Sequence, residues 1–391
     1  MPRAFRIDAR DGSARAGVLM CEHGEVRTPA FVPLASTATV KTLHAAEVAA
    51  LGYDMVLGNT FHLFIQPGQE LVAEMGGLHE FMAWSGPIIT DSGGFQVFSM
   101  GHGSVADEVK RHRGQSQSRV LSIEEEGVRF SSYLDGSERF MGPETSMAVQ
   151  ASLGSDVALA FDECTPFHVE RDYTARSMER THRWLDRCVA WHDEKAPDGQ
   201  LLYGIVQGGV YEDLRAVSAG YVAAAPVDGV AVGGSLGRGK EEMREVVGWS
   251  LRELPDERPR HLLGIGDVDD IVLAVGAGID TFDCATPTRL ARHGTALVPD
   301  PEARWRLDLA KAAWRTSREP IADGCPCPAC REHTRGYLHY LTRAGELTGA
   351  RLITLHNLTF MALLMEGVRA AIAAGDYSAY GERVLAGEEP Y

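Results

Sequence analysis

Eight short runs rich in Val, Ile and Leu, separated by stretches with helical spacing, constrain this chain more than any other feature. The runs are Phe31–Ser36, Asp54–Asn59, Pro87–Asp91, Asp156–Asp162, Leu201–Gln207, Gly229–Gly234, His261–Gly266 and Asp280–Ala285. Between them the patterns over Thr42–Leu51, Pro143–Leu153, Arg171–Trp191, Glu212–Val222, Lys240–Leu254 and Val268–Ala277 read as helices. Strands that are apolar almost throughout are covered on both faces, as in a parallel sheet ringed by helices. Eight such βα units predict an α/β fold of the (β/α)8 TIM-barrel type rather than an open doubly wound sheet. The Gly264–Gly266 pair does not extend to a dinucleotide-binding fingerprint. A long polar segment, Met100–Phe140, with a hairpin pattern over Val128–Phe140 turning at Asp135-Gly136, is expected as an insertion near the barrel mouth.

Seven cysteines, an odd number, in a chain with no apolar N-terminal leader argue against a disulfide framework. Three of them crowd into Cys325-Pro326-Cys327-Pro328-Ala329-Cys330. Three thiolates within six residues repel one another unless a cation lies among them, and Cys3His around zinc is a standard tetrahedral structural site. The fourth ligand is preferred at His356, just ahead of the apolar helical run Leu358–Val368, over His333 and His339. The expected division is a barrel domain over residues 1–295, followed by a zinc-binding subdomain with C-terminal helices over residues 296–391.

No stretch offers the roughly 20 unbroken apolar residues that span a bilayer, so the expectation is a cytoplasmic protein without a membrane segment. A net charge of −16 speaks against a generally basic nucleic-acid coat. The segment Thr286–His356 nevertheless carries eleven basic against seven acidic side chains, which leaves −20 on the rest. That basic third reads either as a solvated helix surface or as a grip on a polyanion.

In a TIM barrel the chemistry sits at the C-terminal ends of the strands. Here those ends read Thr90-Asp91-Ser92-Gly93-Gly94-Phe95-Gln96, Phe161-Asp162-Glu163-Cys164, Gly204–Gly209, Val232-Gly233-Gly234 and Phe282-Asp283-Cys284, the last followed by Pro287-Thr288-Arg289. A single Asp after a strand is usually a turn former or helix cap, but five polar ends after apolar runs predict an active site. Two carboxylates suit the breaking of a glycosidic bond through a covalent intermediate, one attacking the anomeric carbon and the other moving a proton. A third Asp with a Gln and backbone amides suits the edge of a purine. Phe95 would stack on such a base or else pack in the core. No histidine is expected in the catalytic cluster.

At these residues, together with Leu153-Gly154-Ser155-Asp156, Phe161–Pro166, Asp280–Arg289 and the cysteine knuckle with Leu355-His356-Asn357, the sequence resembles the tRNA-guanine transglycosylase family, also called queuine tRNA-ribosyltransferase. The resemblance runs from about Phe5 to Val368 and implies an irregular (β/α)8 TIM barrel with a C-terminal zinc-binding subdomain. It implies exchange of the wobble guanine in tRNAs with GUN anticodons (Asp, Asn, His, Tyr) for a 7-deazaguanine, queuine or its aminomethyl precursor. By position, Asp283 matches the nucleophile and Asp91 the general acid/base. Asp162, Gln207 and Gly234 match the base-binding set, and Phe95 the stacking aromatic. Arg289 and Arg292 match residues near the RNA, and Cys325, Cys327, Cys330 and His356 the ligands of one structural Zn2+. A homodimer that binds the tRNA anticodon loop and a free base is implied as well.

One loop departs from the family pattern. After strand six the chain reads Gly233-Gly234-Ser235-Leu236-Gly237-Arg238, where bacterial members usually carry Gly-Gly-Leu-Ala-Val-Gly-Glu. In the family this loop faces the substituent on C7 of the incoming base. Gly237 is expected to leave room there, and the missing acid to weaken the case for a cationic aminomethyl group, so queuine is expected to be tolerated. Alternatives to the leading function are a non-catalytic tRNA-binding partner subunit of the same family and a zinc-containing barrel glycosyltransferase acting on other nucleosides.

Overall fold

The computed structural model describes residues 4–102, 119–166 and 169–390. Eight parallel strands, Ala30–Ala35, Val56–Gly58, Ile88–Thr90, Val157–Leu159, Leu201–Val206, Gly229–Val232, Arg260–Leu262 and Thr281–Cys284, pair in chain order. The barrel closes where the eighth strand meets the first, with Thr281 opposite Ala30 and Asp283 opposite Val32. Each strand overlaps one of the eight expected runs; the first matches its run in length, displaced by one residue, and the other seven are shorter, because the flanking residues turn at once into loops. Helix Pro143–Leu153 has the expected bounds, whereas Arg171–Lys195 extends past Trp191. Of the expected insertion, residues 103–118 lie outside the described residues. The remainder forms a three-stranded antiparallel sheet, Val120–Ile123, Val128–Ser131 and Glu138–Met141, whose second turn is the expected Asp135-Gly136 hairpin.

The barrel interior is filled by Val32, Leu57, Ile89, Val157, Leu159 and Ile205, and its floor by Phe5, Leu19 and Val26. Those floor residues come from an N-terminal antiparallel sheet, Phe5–Asp11, Ala14–Cys21 and Gly24–Thr28, that the strand reading did not identify. The sheet is fastened to the barrel floor by two polar anchors. Arg15, fully buried, donates to both oxygens of the buried Asp280, Nε at 2.7 Å and Nη2 at 2.5 Å, just ahead of the eighth strand. Asp156, ahead of the fourth strand, accepts from the backbone N–H groups of His23 and Ile88, and the His23 and His79 rings approach its two oxygens at 2.9 and 3.3 Å. The two rings stack 3.6 Å apart and nearly parallel, so their in-plane lone pairs run side by side. His79 Nε2 also lies 3.1 Å from the Gly86 carbonyl, and the trio is a hydrogen-bonded clasp.

C-terminal to the barrel, a second hydrophobic cluster gathers Ala296, Val298, Leu309, Ile321, Leu338, Leu341 and Ile353 around the cysteine knuckle. Helix Leu347–Ala374 joins both clusters, its Leu352 and Ile353 in the second and Leu355 to Ile372 in the barrel's outer layer. Among the described residues it is the one helix long and apolar enough to cross a membrane, and burial against the barrel accounts for its apolarity. Its extent corrects an expectation: His356 lies inside this helix, not ahead of its start, because the helical pattern begins at Leu347.

Candidate active site and metal centre

The third strand ends at Thr90, and the chain then places Asp91 and Ser92 on different tasks. Asp91 accepts from the Thr60 N–H at 2.9 Å, from the Gln96 amide at 3.2 Å and from the Asn59 amide. Burial, with the nearby charge of Asp283 adding to it, pushes Asp91 up to about 7, against the pull of the Thr60, Gly93 and Gln96 donors. Ser92 turns the other way and donates from Oγ to Asp162 Oδ1 at 2.7 Å. Gly94 permits that approach, since a Cβ there would lie 2.5 Å from the Asp162 carbonyl oxygen.

Asp162, from the end of the fourth strand, is buried and takes a second bond from Gln207 Nε2 at 2.6 Å. Burial pushes its carboxyl up to about 6, while the Ser92 and Gln207 donors oppose the shift. The other amide atom, Gln207 Oε1, is a buried acceptor with no partner among the described residues. Gly234 lies against it with φ +74°, and a Cβ at that position would meet Oε1 at 2.2 Å. Both facts require glycine there. Phe95 is 51% exposed, which excludes core packing and leaves its face at the mouth. Glu163 turns away from this set: its oxygens are taken by the Tyr173 hydroxyl at 2.6 Å and by Arg180.

Asp283 is the last residue but one of the eighth strand. Its Oδ1 accepts from the Gly264 N–H at 3.0 Å and lies 3.1 Å from His261 Nε2. The cluster therefore contains a histidine, contrary to expectation: His261 opens the expected run His261–Gly266, whose C-terminal end was read at Gly266, whereas the strand itself is Arg260–Leu262 and ends one residue after the histidine. Asn59 and Thr60 after the second strand were missed for a similar reason, since a strand ending in Asn reads as a helix cap. It is one: Asn59 Oδ1 accepts from His62 N at 2.9 Å while its amide holds Asp91. Arg215 was missed too. Fully buried on helix Glu212–Ala224, it donates to the carbonyls of Val206, Gly209, Gly233 and Ser235, stapling the loops after strands five and six. Burial pushes its guanidinium down to about 10.

In the loop after strand six, glycine is required at position 237, where φ is +106°. A Cβ on Gly237 would lie 2.6 Å from Glu242 Oε2, which also accepts from the Arg238 N–H at 2.7 Å. A carboxylate from the first turn of helix Lys240–Leu251 thus stands beside the loop.

Arg289 and Arg292 are exposed on helix Thr286–Arg292, which starts two residues after the eighth strand. Their hydrogen bonds reach only Thr286 Oγ1 and the Thr288 carbonyl, and among the described residues neither has a carboxylate within 4.0 Å. They stand as two exposed cations on the helix that follows Asp283 in the chain.

His356 Nδ1 lies 3.6, 3.5 and 3.3 Å from the sulfurs of Cys325, Cys327 and Cys330. Its Nε2 donates to the Leu297 carbonyl at 2.7 Å, which leaves the Nδ1 lone pair facing the sulfurs. A tetrahedron with ordinary zinc–sulfur and zinc–nitrogen bonds has N···S edges of about 3.6 Å, so the four residues fit a metal ion. His333 stacks on Tyr337 and His339 bonds the Leu309 carbonyl, so neither competes. The next residue, Asn357, ties the helix to the site: it accepts from Leu297 N and donates to the carbonyls of Pro287 and Thr295.

A sequence profile of the family described as Queuine tRNA-ribosyltransferase matches residues 10–390. The chain is 49% identical over 391 residues to the "Queuine tRNA-ribosyltransferase" of Roseiflexus sp. (strain RS-1), covering 97% of this chain and 98% of that protein. It is 46% identical over 374 residues to the protein of that name from Symbiobacterium thermophilum, covering 95% and 88%. Over 378 residues it is 46% identical to the one from Pelotomaculum thermopropionicum, covering 96% of each.

Proposed function

The chain belongs to the queuine tRNA-ribosyltransferase family, and from that premise we propose that it is a tRNA-guanine transglycosylase, a pentosyltransferase acting on the wobble guanine of GUN-anticodon tRNAs (Asp, Asn, His, Tyr). Asp283 attacks C1′ of the ribose, the bond from C1′ to the base breaks, and guanine leaves with a proton from Asp91. The incoming 7-deazaguanine then gives a ring proton to Asp91 and attacks C1′, the ester breaks, and the Asp283 carboxylate is restored. The observation that carries this reading is that the two acids stand at the C-terminal ends of strands three and eight of one closed parallel barrel, where burial first, and the charge of Asp283 as a smaller cause, push Asp91 up to about 7.

Asp162 and Gln207 meet the polar edge of the base, with the unpartnered Gln207 Oε1 awaiting a donor, and the Gly234 backbone and Phe95 complete the seat. The unstacked anticodon loop costs little to open, so the target base flips into the barrel mouth. Arg289 and Arg292 take the phosphates around it. The incoming base is queuine or its aminomethyl precursor, and the Glu242 carboxylate beside Gly237 suits a cationic substituent. Cys325, Cys327, Cys330 and His356 hold one structural Zn2+, which fixes the knuckle against the barrel. The chain divides near residue 295 into barrel and zinc subdomain; in support, Ala296 to Ile353 contribute to a cluster of their own around the knuckle, while the C-terminal helices from Leu355 onward pack on the barrel. It works in the cytoplasm as a homodimer, in which a second copy would cover the exposed Tyr337, Tyr340 and Leu347.

Release of labelled guanine from tRNA, with incorporation of each labelled 7-deazaguanine, tests the reading. Asp283→Ala is expected to lose exchange at least about 1,000-fold and to form no denaturation-resistant RNA–protein adduct. Unchanged release by Asp283→Ala would reject the mechanism.

A further inference from the structure

Asp283 Oδ1 meets two N–H groups, that of Gly264 at 3.0 Å and that of His261 Nε2 at 3.1 Å, whereas Oδ2 has no hydrogen bond among the described residues. His261 is fully buried on the seventh strand, opposite Thr281 in the register of the eighth. Its Nδ1 lies 2.8 Å from Thr281 Oγ1. An ionised carboxylate only accepts, so Nε2 carries the proton that it donates to Asp283, and the Thr281 hydroxyl holds the other ring nitrogen in place. Residues 281 and 283 lie on the same side of their strand, so one imidazole bridges both.

We propose that His261 is the positioning residue of the nucleophile: it selects Oδ2 as the attacking oxygen and stabilises the charge that returns to the carboxylate when the sugar ester is resolved. This rests on the assignment of Asp283 as nucleophile. As Oδ2 bonds to C1′ and the bond to guanine breaks, Oδ1 becomes a carbonyl oxygen and its hydrogen bonds weaken. As the incoming base bonds to C1′ and the C1′–Oδ2 bond breaks, negative charge spreads back onto Oδ1, where the two donors are already aimed. Donors fixed on an oxygen that gains charge in the transition state speed that step, as in an oxyanion hole. The same donors hold back the first attack, because they favour the free carboxylate over the ester. His261 therefore keeps the covalent species from accumulating.

The test compares His261→Phe, which keeps a flat side chain without a donor, with His261→Gln, whose terminal amide reaches the position of Nε2. Each is charged with end-labelled tRNA, the adduct is resolved on a denaturing gel, and the label is chased with free base. His261→Phe is expected to accumulate adduct and to resolve it about 10- to 100-fold more slowly than wild type, with tRNA affinity unchanged. His261→Gln is expected to recover most of the chase rate. Should the phenyl ring prevent folding, His261→Asn, whose shorter amide stops short of Asp283, stands in for it. A donor-less variant that folds and chases at the wild-type rate overturns the proposal, as does a glutamine variant no faster than the donor-less one. An adduct that persists in Asp283→Ala, or is missing in wild type, marks failure of the nucleophile assignment itself, and the proposal falls with it.

Discussion

At the scale of single residues, the chemistry depends on what burial does to carboxyl groups that are identical in the unfolded chain. Asp91 and Asp162 are pushed up to about 7 and about 6, and in each case desolvation is the largest cause. The sign of the pH dependence follows. Below about 7 Asp91 keeps its proton and can give it to departing guanine; above, it is ionised and can take one from the incoming base. Adduct formation is therefore expected to slow as pH rises through 7, and adduct resolution to slow as pH falls through it, with net exchange fastest near neutrality. Single-turnover rates of the two halves between pH 5.5 and 8.5 check this, and Asp91→Asn should lower both limbs and flatten them. Adduct formation independent of pH over that range would contradict the assignment. The acids themselves were legible in the sequence because each closes an apolar strand run. Their partners Asn59, Ser92 and His261 were not, since nothing in a one-dimensional pattern says which neighbouring strand a side chain will face.

At the scale of elements, helix Leu347–Ala374 does the most joining. Within three consecutive residues it gives Leu355 to the outer layer of the barrel, His356 to the cysteine knuckle, and Asn357 to the segment leaving the nucleophile's strand. The metal centre is thus braced against the catalytic loop through one helical turn. Removal of the ion by a chelator, or Cys327→Ala, is expected to lower the melting temperature and the exchange activity together, with metal content measured in parallel. Full stability and activity in metal-free protein would show that the knuckle stands without an ion. The expectation that His356 precedes a helix failed because the helix was begun at Leu358, although Leu352, Ile353 and Leu355 already carry an apolar face through its first turns, the first two against the cluster around the knuckle and the third against the barrel. The N-terminal sheet was missed because its strands mix charged and small residues, and only the barrel floor beneath gives their apolar side chains a place to go.

At the scale of the whole molecule, a chain of net charge −16 is proposed to bind a polyanion, and the resolution lies in distribution. Exposed Arg289 and Arg292, free of acidic partners within 4.0 Å among the described residues, lie on the helix that follows Asp283 in the chain, within the basic segment. Replacing either with Ala is expected to weaken tRNA binding and to reduce the slope of log affinity against log salt by about 1, with no change in the pH profile. A salt slope unchanged in both variants would remove them from the RNA surface. By itself the sequence determined the barrel, because eight apolar runs admit few other ways to cover both faces, and the cysteine knuckle, because three neighbouring thiols with a histidine make a set that suits a metal ion. It also determined the carboxylates at the strand ends, since barrel topology sends those ends to one mouth. Only the tertiary structure decided which oxygen of Asp283 is left free, which atoms of Gln207 and Gly234 touch, and that Glu242 stands beside Gly237. Those are contacts between residues brought together by closure of the barrel, and the energies that choose among them exist only once water has been excluded.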